Sequence, residues 1–283
     1  GLALLTFLGH GNSEAGGKYQ DNVTRAVRWL IDQQNDDGKL IAQGDHQGNE
    51  SAYAHAIAGM ALAEAAAMAN RPATRAAAQK ALNYSCNVHP TKKDGMVMWR
   101  YRANNNQGDV SVTGWYIMQM HAAHLAKLPV PGDILPGAAK YLDTLMNTTD
   151  EGVTYGYTSK SGADATRTAI GALSRIYTDN KNVAQSIRYF VGKGGVPDWN
   201  KCHLYYWYYG TLATFQHGGA QWGPWNEAMK KALVENQQPA EAGDNAGSWD
   251  PRGDWSNRWG RVGQTALACL CLEVYYRYQQ RGQ

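Results

Sequence analysis

The chain has 283 residues, of which 43% are hydrophobic and 18% are charged. This composition supports a substantial core and excludes an intrinsically disordered chain. The formal charge is only +3, and because no run of basic residues occurs we expect no nucleic-acid partner.

Helices rich in Ala, Gly and bulky apolar residues alternate along the chain with amphipathic helices. The apolar helices are predicted at 1–9, 50–69, 110–127, 163–178, 201–217 and 260–279. An amphipathic helix near 19–35 carries charges on one face, and comparable segments lie between the later apolar helices. Helices that are apolar around their whole circumference are buried, and amphipathic helices cover them. The alternation predicts stacked helix pairs that repeat every 40 to 60 residues or so.

Alternating inner and outer helices curve into a ring. The pattern predicts an all-α fold in a single domain over 1–283, with short strands only near 39–43 and 96–101. Five outer and six inner helices make a six-pair barrel that lacks its first outer helix. Because the chain begins inside a helix, we expect a fragment or processed form whose missing helix precedes Gly1. The sequence does not assign a cellular compartment. An export signal or anchor in the upstream part would make the protein extracytoplasmic.

The outer helices end in a polar residue followed by Gly near an aromatic residue or Leu. The last such ending, with Gln238, Gly247, Ser248 and Trp249, resembles the QW motif of squalene and hopene cyclases. Three further segments resemble an uncharacterised bacterial branch of proteins with prenyltransferase and squalene-oxidase repeats: 108–120, 201–219 and 260–278. The resemblance covers essentially the whole chain. It implies an α/α toroid of the terpenoid cyclase and protein prenyltransferase type, and it specifies the fold better than the reaction.

Two reactions of the resembled families have recognisable motifs. The acidic DxDD motif of the cyclases corresponds to 109–112, where Asp109 is kept but Ser111 replaces the central acid. A serine hydroxyl is too weak an acid to protonate an alkene, and Asp109 is alternatively a helix cap. Asp198, Cys202 and His203 have the ligand types of the prenyltransferase zinc site, but their spacing does not match it. We therefore expect no metal and no cofactor.

Polar residues cluster at the predicted amino ends of the inner helices, where helix dipoles favour negative charge. The catalytic candidates are His55, Asp109 and His203. The ligand-binding candidates are Tyr53, Trp115, Tyr206, Trp207, Asp254, Trp259 and Arg261. The pocket is predicted at this mouth, beneath the loops 36–50, 88–109 and 237–259, with Asp45, His46 and Trp249 within reach. Capping, loop anchoring and aromatic packing are the alternative roles for each residue.

Three functions follow from these observations. The first is a cyclase- or prenyltransferase-like protein that binds an isoprenoid or other lipid-like ligand in a central cavity. The second is a carbohydrate-active enzyme, a polysaccharide lyase or hydrolase, because 17 Tyr and 10 Trp against 3 Phe supply rings with polar edges that suit sugar faces. The third is a non-enzymatic binding or scaffold module. Enzymatic activity is left open, and no stretch is long and apolar enough to predict a transmembrane segment.

Overall fold

The computed structural model describes residues 1–40, 50–103 and 105–278, and this part of the chain is all-α, as predicted. The helices are α1 (Leu2–Gly9), α2 (Gln20–Asp32), α3 (Glu50–Ala69), α4 (Pro72–Asn83), α5 (Val110–Leu125), α6 (Ile134–Leu145), α7 (Ala165–Thr178), α8 (Val183–Gly194), α9 (Leu204–His217), α10 (Trp222–Val234), α11 (Ser256–Leu272) and α12 (Val274–Arg277). Two short antiparallel hairpins pair β1 (Thr91–Lys93) with β2 (Met96–Met98) and β3 (Met146–Thr149) with β4 (Gly152–Tyr155).

The odd-numbered helices form the inner layer. From α1 to α11 each contacts the next odd-numbered helix, and α11 contacts α1, so that their contacts close into a cycle. The even-numbered helices α2 to α10 each pack against the two inner helices that flank them in the chain. This order agrees with the predicted alternation of apolar and amphipathic helices. The predicted toroid is one arrangement with this contact order, and its relation to the cyclase and prenyltransferase fold stays a prediction.

The helix boundaries differ most from the prediction at the last inner helix. Instead of one helix over 260–279, α11 starts at Ser256, is interrupted at Gly260 with φ 59°, and ends at Leu272 before the single turn of α12. The strand prediction at 96–101 is met by β2, whereas β1 and the hairpin β3–β4 were not predicted. Most of the strand predicted at 39–43 lies outside the described residues.

One hydrogen bond recurs between a turn and the inner helix that follows it, and we call it the turn clamp. In each clamp a backbone N–H from the turn donates to a side chain on the helix. The pairs are Leu40 to His55 Nδ1 at 3.0 Å, Trp99 to Thr113 Oγ1, Tyr155 to Thr168 Oγ1 and Trp249 to Thr265 Oγ1, the last three at 3.2 Å. A glycine with positive φ precedes each donor: Gly38, Gly95, Gly152 and Gly247. At these four predicted endings, the clamp fixes the turn to the inner helix that follows.

Aromatic side chains of α5 and α9 meet in the interior of the inner layer. Trp115 on α5 stacks on Tyr208 of α9 with ring centroids 5.6 Å apart, and its Nε1 donates to Tyr205 Oη at 3.1 Å. Because α7 lies between α5 and α9 in the cycle of contacts, these rings reach across the middle of the molecule. The centre is therefore packed at this level and is not hollow.

Helix α3 is the one described helix that is long and apolar enough to cross a bilayer, over Ser51–Ala69. Of that window, 61% is buried inside the protein, where α3 packs against α1, α4 and α5. The core helix of a folded domain has the same length and composition, so these properties do not indicate a membrane span.

Candidate functional site

Asp109 begins α5 and acts as its N-cap. Its side chain is fully buried, and Oδ1 accepts hydrogen bonds from the Val112 backbone N–H and the Ser111 hydroxyl, both at 2.8 Å. The Ser111 hydroxyl in turn lies 2.9 Å from the Tyr53 hydroxyl. Burial raises the pKa of Asp109, while the two hydrogen bonds oppose that rise. Asp109 and Tyr53, both predicted site residues, are thus joined in one polar chain that stabilises the start of α5.

His55 is fully buried and uses both ring nitrogens. Because the Leu40 N–H donates to Nδ1, the proton of the neutral ring is on Nε2, which lies 2.8 Å from Ser85 Oγ. Burial, helped by the nearby His89, lowers the pKa of His55 to about 3. An imidazole that already carries its proton on the nitrogen facing the serine cannot take the serine proton. The His55–Ser85 pair therefore has the wrong tautomer for a nucleophilic dyad. His55 instead accepts the backbone N–H of the turn, as threonine does in the other three turn clamps.

The predicted candidates on α9 also make structural contacts. His203 caps α9 by accepting the Tyr206 backbone N–H at Nδ1, at 3.1 Å. Burial lowers the pKa of His203, and the nearby Asp254 carboxylate opposes this shift. The Tyr206 hydroxyl reaches the carbonyls at the end of α8, 2.8 Å from Phe190 O. Trp207 is buried in the core. These side chains fasten α9 to its neighbours, whereas Asp254 is exposed.

Tyr205, which the sequence reasoning missed, lies where several predicted residues meet. Its hydroxyl accepts the Trp115 indole N–H, and its ring centroid lies 6.2 Å from that of Trp259. Arg261 points elsewhere and forms an ion pair with Asp250. The predicted Asp45 and His46 lie outside the described residues.

A cavity of about 550 Å³ opens at the opposite end, where the inner helices have their carboxyl ends. It is lined by Leu8, Gly9, His10, Gly11, Met60, Glu64, Ala67, Met68, Met118, His121, Ala122, Leu125, Tyr177, Tyr276, Arg277 and Tyr278. A second, more polar groove of about 450 Å³ lies beside the loop at 235–238 and is lined by Trp199, Glu235, Asn236, Gln237, Gln238, Asp250, Pro251 and Arg252.

None of the predicted site residues lines either cavity. Their catalytic and ligand-binding roles stay predictions, and so does the functional pocket predicted at the amino-end mouth, where residues 41–49 of the loop 36–50 lie outside the described residues. Side-chain size explains why the apolar cavity lies at the carboxyl ends. Bulky Tyr and Trp side chains pack against each other near the amino ends, whereas α3 carries small residues such as Ala67 at its carboxyl end, beside the cavity.

The cavity has one polar corner, formed by Glu64 on α3 and Arg277 on α12. Arg277 Nη2 lies 2.6 Å from Glu64 Oε1 and 2.7 Å from Oε2, and Nη1 donates to the Leu5 carbonyl at 2.6 Å. The Arg277 side chain is only 5% exposed, and the Glu64 side chain is 23% exposed. Burial raises the pKa of Glu64, and Arg277 opposes that rise. One sequence signal could have found this corner, because Glu64 is the lone charged residue after Glu50 in an otherwise apolar helix.

The remaining wall is mostly apolar. The imidazole of His121 stacks on the Tyr177 ring with centroids 4.0 Å apart, and the Tyr177 hydroxyl accepts a hydrogen bond from Gln216 at 2.7 Å. Methionines on α3 and α5 also line the cavity, and their flexible thioether side chains adapt to ligands of irregular shape. The arrangement is suited to hold an apolar molecule against one buried ion pair.

Within residues 1–40, 50–103 and 105–278, no three His, Cys, Asp or Glu side chains come together as a metal site. Comparison of the chain with protein-family models finds no match, and comparison with curated proteins and with solved structures finds no significant match. The resemblance to cyclases and prenyltransferases therefore stays a prediction drawn from the sequence.

Proposed function

We propose that this protein binds an isoprenoid or other lipid-like ligand in the cavity at the carboxyl ends of its inner helices, as a relative of the cyclase and prenyltransferase toroids. The observation that carries the proposal is the cavity itself, which is lined mainly by aliphatic, methionine and aromatic side chains. Its volume of about 550 Å³ falls within the ~300–1,000 Å³ that is usual for small-molecule sites.

The lining favours an apolar ligand over a sugar. Carbohydrate binding needs aromatic faces that are open to solvent together with hydrogen-bonding groups. The tyrosines and tryptophans of α5 and α9 instead cover one another, as Trp115 does with Tyr208 and Tyr209 at 5.6 Å. At the cavity, Met60, Met118 and Leu8 offer only apolar contact, which stabilises a hydrocarbon chain by removing it from water.

The proposal concerns binding and names no reaction. Asp109, the one acid kept from the cyclase DxDD motif, is buried at the start of α5 and serves as its cap. The cavity lies at the other end of the inner helices, beside the carboxyl end of α5 at Leu125. Protonation of a ligand in this cavity by Asp109 is therefore not part of the proposal.

Titration with geranylgeraniol, followed by calorimetry, tests the proposal. Ala67→Trp places a large ring at the exposed edge of the cavity without entering the core, and we expect it to weaken binding at least about tenfold, since a filled pocket excludes the chain. Ala246→Trp on the exposed loop before α11 is the matched control and should bind as the unmodified protein does. Absence of binding, or equal weakening by both variants, would refute the proposal.

A further inference from the structure

We infer that the polar corner of the cavity selects a ligand whose head group is positively charged, an alkylammonium-type amphiphile, and rejects anionic heads such as carboxylate or diphosphate. This inference rests on the proposed function, because it concerns the head group of the ligand that the cavity would hold. It is carried by the charges around Glu64 and Arg277 and by the helix ends that surround them.

Arg277 is already neutralised by Glu64. Both carboxylate oxygens of Glu64 lie within 2.7 Å of Arg277 Nη2. A buried guanidinium that is paired in this way has little attraction left for an anionic ligand. An incoming carboxylate or phosphate would also meet Glu64, which remains 23% exposed on the cavity wall.

A second carboxylate, Glu273, lies directly behind the wall. The position that a Cβ would occupy on Gly9, which lines the cavity, is 2.4 Å from Glu273 Oε2 and 2.9 Å from Arg277 Nη1. Within the described residues, Glu273 Oε2 is buried and has no hydrogen-bond partner. With Glu64 and Arg277 cancelling each other, ionised Glu273 leaves the corner with a net negative charge.

Helix ends and aromatic rings add to this preference. Helices α1, α3, α5 and α7 all bring residues near their carboxyl ends to the cavity, and the carboxyl end of a helix carries a partial negative charge. Tyr177, Tyr276 and Tyr278 line the same space, and the faces of such rings attract cations. Arg277 itself lies over the Tyr278 ring, 5.7 Å from its centroid.

The preference should depend on pH through Glu273. Burial raises the pKa of Glu273 to about 7; Arg277 opposes the rise and Glu64 adds to it. Cys269 on α11 interacts with the same carboxylate. Because Glu273 is ionised above this pKa, attraction of a permanent cation should increase as the pH rises through about 7. The histidines on the cavity wall are His10 and His121.

Three amphiphiles with the same alkyl chain test the inference: decyltrimethylammonium, decanol and decanesulfonate, titrated by calorimetry at pH 8 and pH 6. We expect the cation to bind at least about tenfold more tightly than the sulfonate at pH 8. Glu273→Gln should reduce this ratio roughly tenfold, as for one charge at close range in a partly buried site. The matched control, Glu241→Gln on an exposed turn outside the cavity lining, should leave the ratio unchanged.

The outcomes separate the two proposals. If all three amphiphiles bind with equal affinity, or if decanesulfonate binds most tightly, the head-group inference is wrong while the lipid-binding function stands. If none of them binds and geranylgeraniol does not bind either, the proposed function falls and the head-group inference falls with it. If Glu273→Gln and Glu241→Gln change the affinity ratio of cation to sulfonate equally, the polar corner does not select the head group and the inference is also wrong.

Discussion

Protonation of His55 should destabilise the fold, and this effect can be isolated by substitution. In the folded protein burial lowers the pKa of His55 from 6.5 to about 3, whereas in the unfolded chain the ring titrates near 6.5. Because the pKa is lower in the folded state, the free energy of unfolding is unaffected by this group above pH 6.5. It decreases progressively as the pH falls toward 3. Because pH 5 lies about 1.5 pH units below the unfolded-state pKa, the free energy of unfolding is lower there by about 2 kcal/mol. His55→Gln keeps an acceptor for Leu40 N–H and a donor for Ser85, but it cannot titrate.

Urea unfolding followed by tryptophan fluorescence at a series of pH values measures this contribution. We expect the free energy of unfolding of the unmodified protein to fall by about 2 kcal/mol relative to His55→Gln between pH 7.5 and pH 5. Thr168→Val is the matched control, because it removes the equivalent clamp in a later helix pair without a titrating group. Its cost, about 1–2 kcal/mol, should be the same at both pH values. Parallel pH dependences for the unmodified protein and His55→Gln would refute the reasoning.

Substitutions at three further positions test other contacts by the same unfolding measurement. Gly171→Ala should cost about 1–3 kcal/mol, because its Cβ would lie 2.3 Å from the Tyr155 ring; an unchanged stability would contradict this packing. Asp109→Ala should cost about 1–2 kcal/mol through loss of the cap on Val112 N–H, and Asp109→Asn should recover most of it. Glu273, whose pKa rises from 4.5 to about 7, makes the folded state less stable as the pH increases through that window. Glu273→Gln should therefore be more stable than the unmodified protein at pH 8, by about 1 kcal/mol after solvent screening, with no gain at pH 4.

The sequence indicates less about the candidate site than about the fold. The cap role of Asp109 was available from its position before an apolar helix. The clamp role of His55 could not be predicted from the sequence, because its hydrogen-bond partner lies in a turn 15 residues earlier in the chain. Tyr206 and Trp207 lie on a helix that is aromatic on all sides, and periodicity alone cannot say which of its faces meets an outer helix.

Alternation of apolar and amphipathic helices, which is a local property, determined the all-α class, the order of inner and outer helices and the positions of the Gly-containing turns. Only the tertiary structure decided which end of the inner helices holds the apolar cavity, because that depends on how side chains from distant helices fill the interior. It also paired Glu64 with Arg277 across 213 residues of chain. Burial of that pair, and of Glu273 beside it, depends on three-dimensional packing that no local pattern in the sequence records.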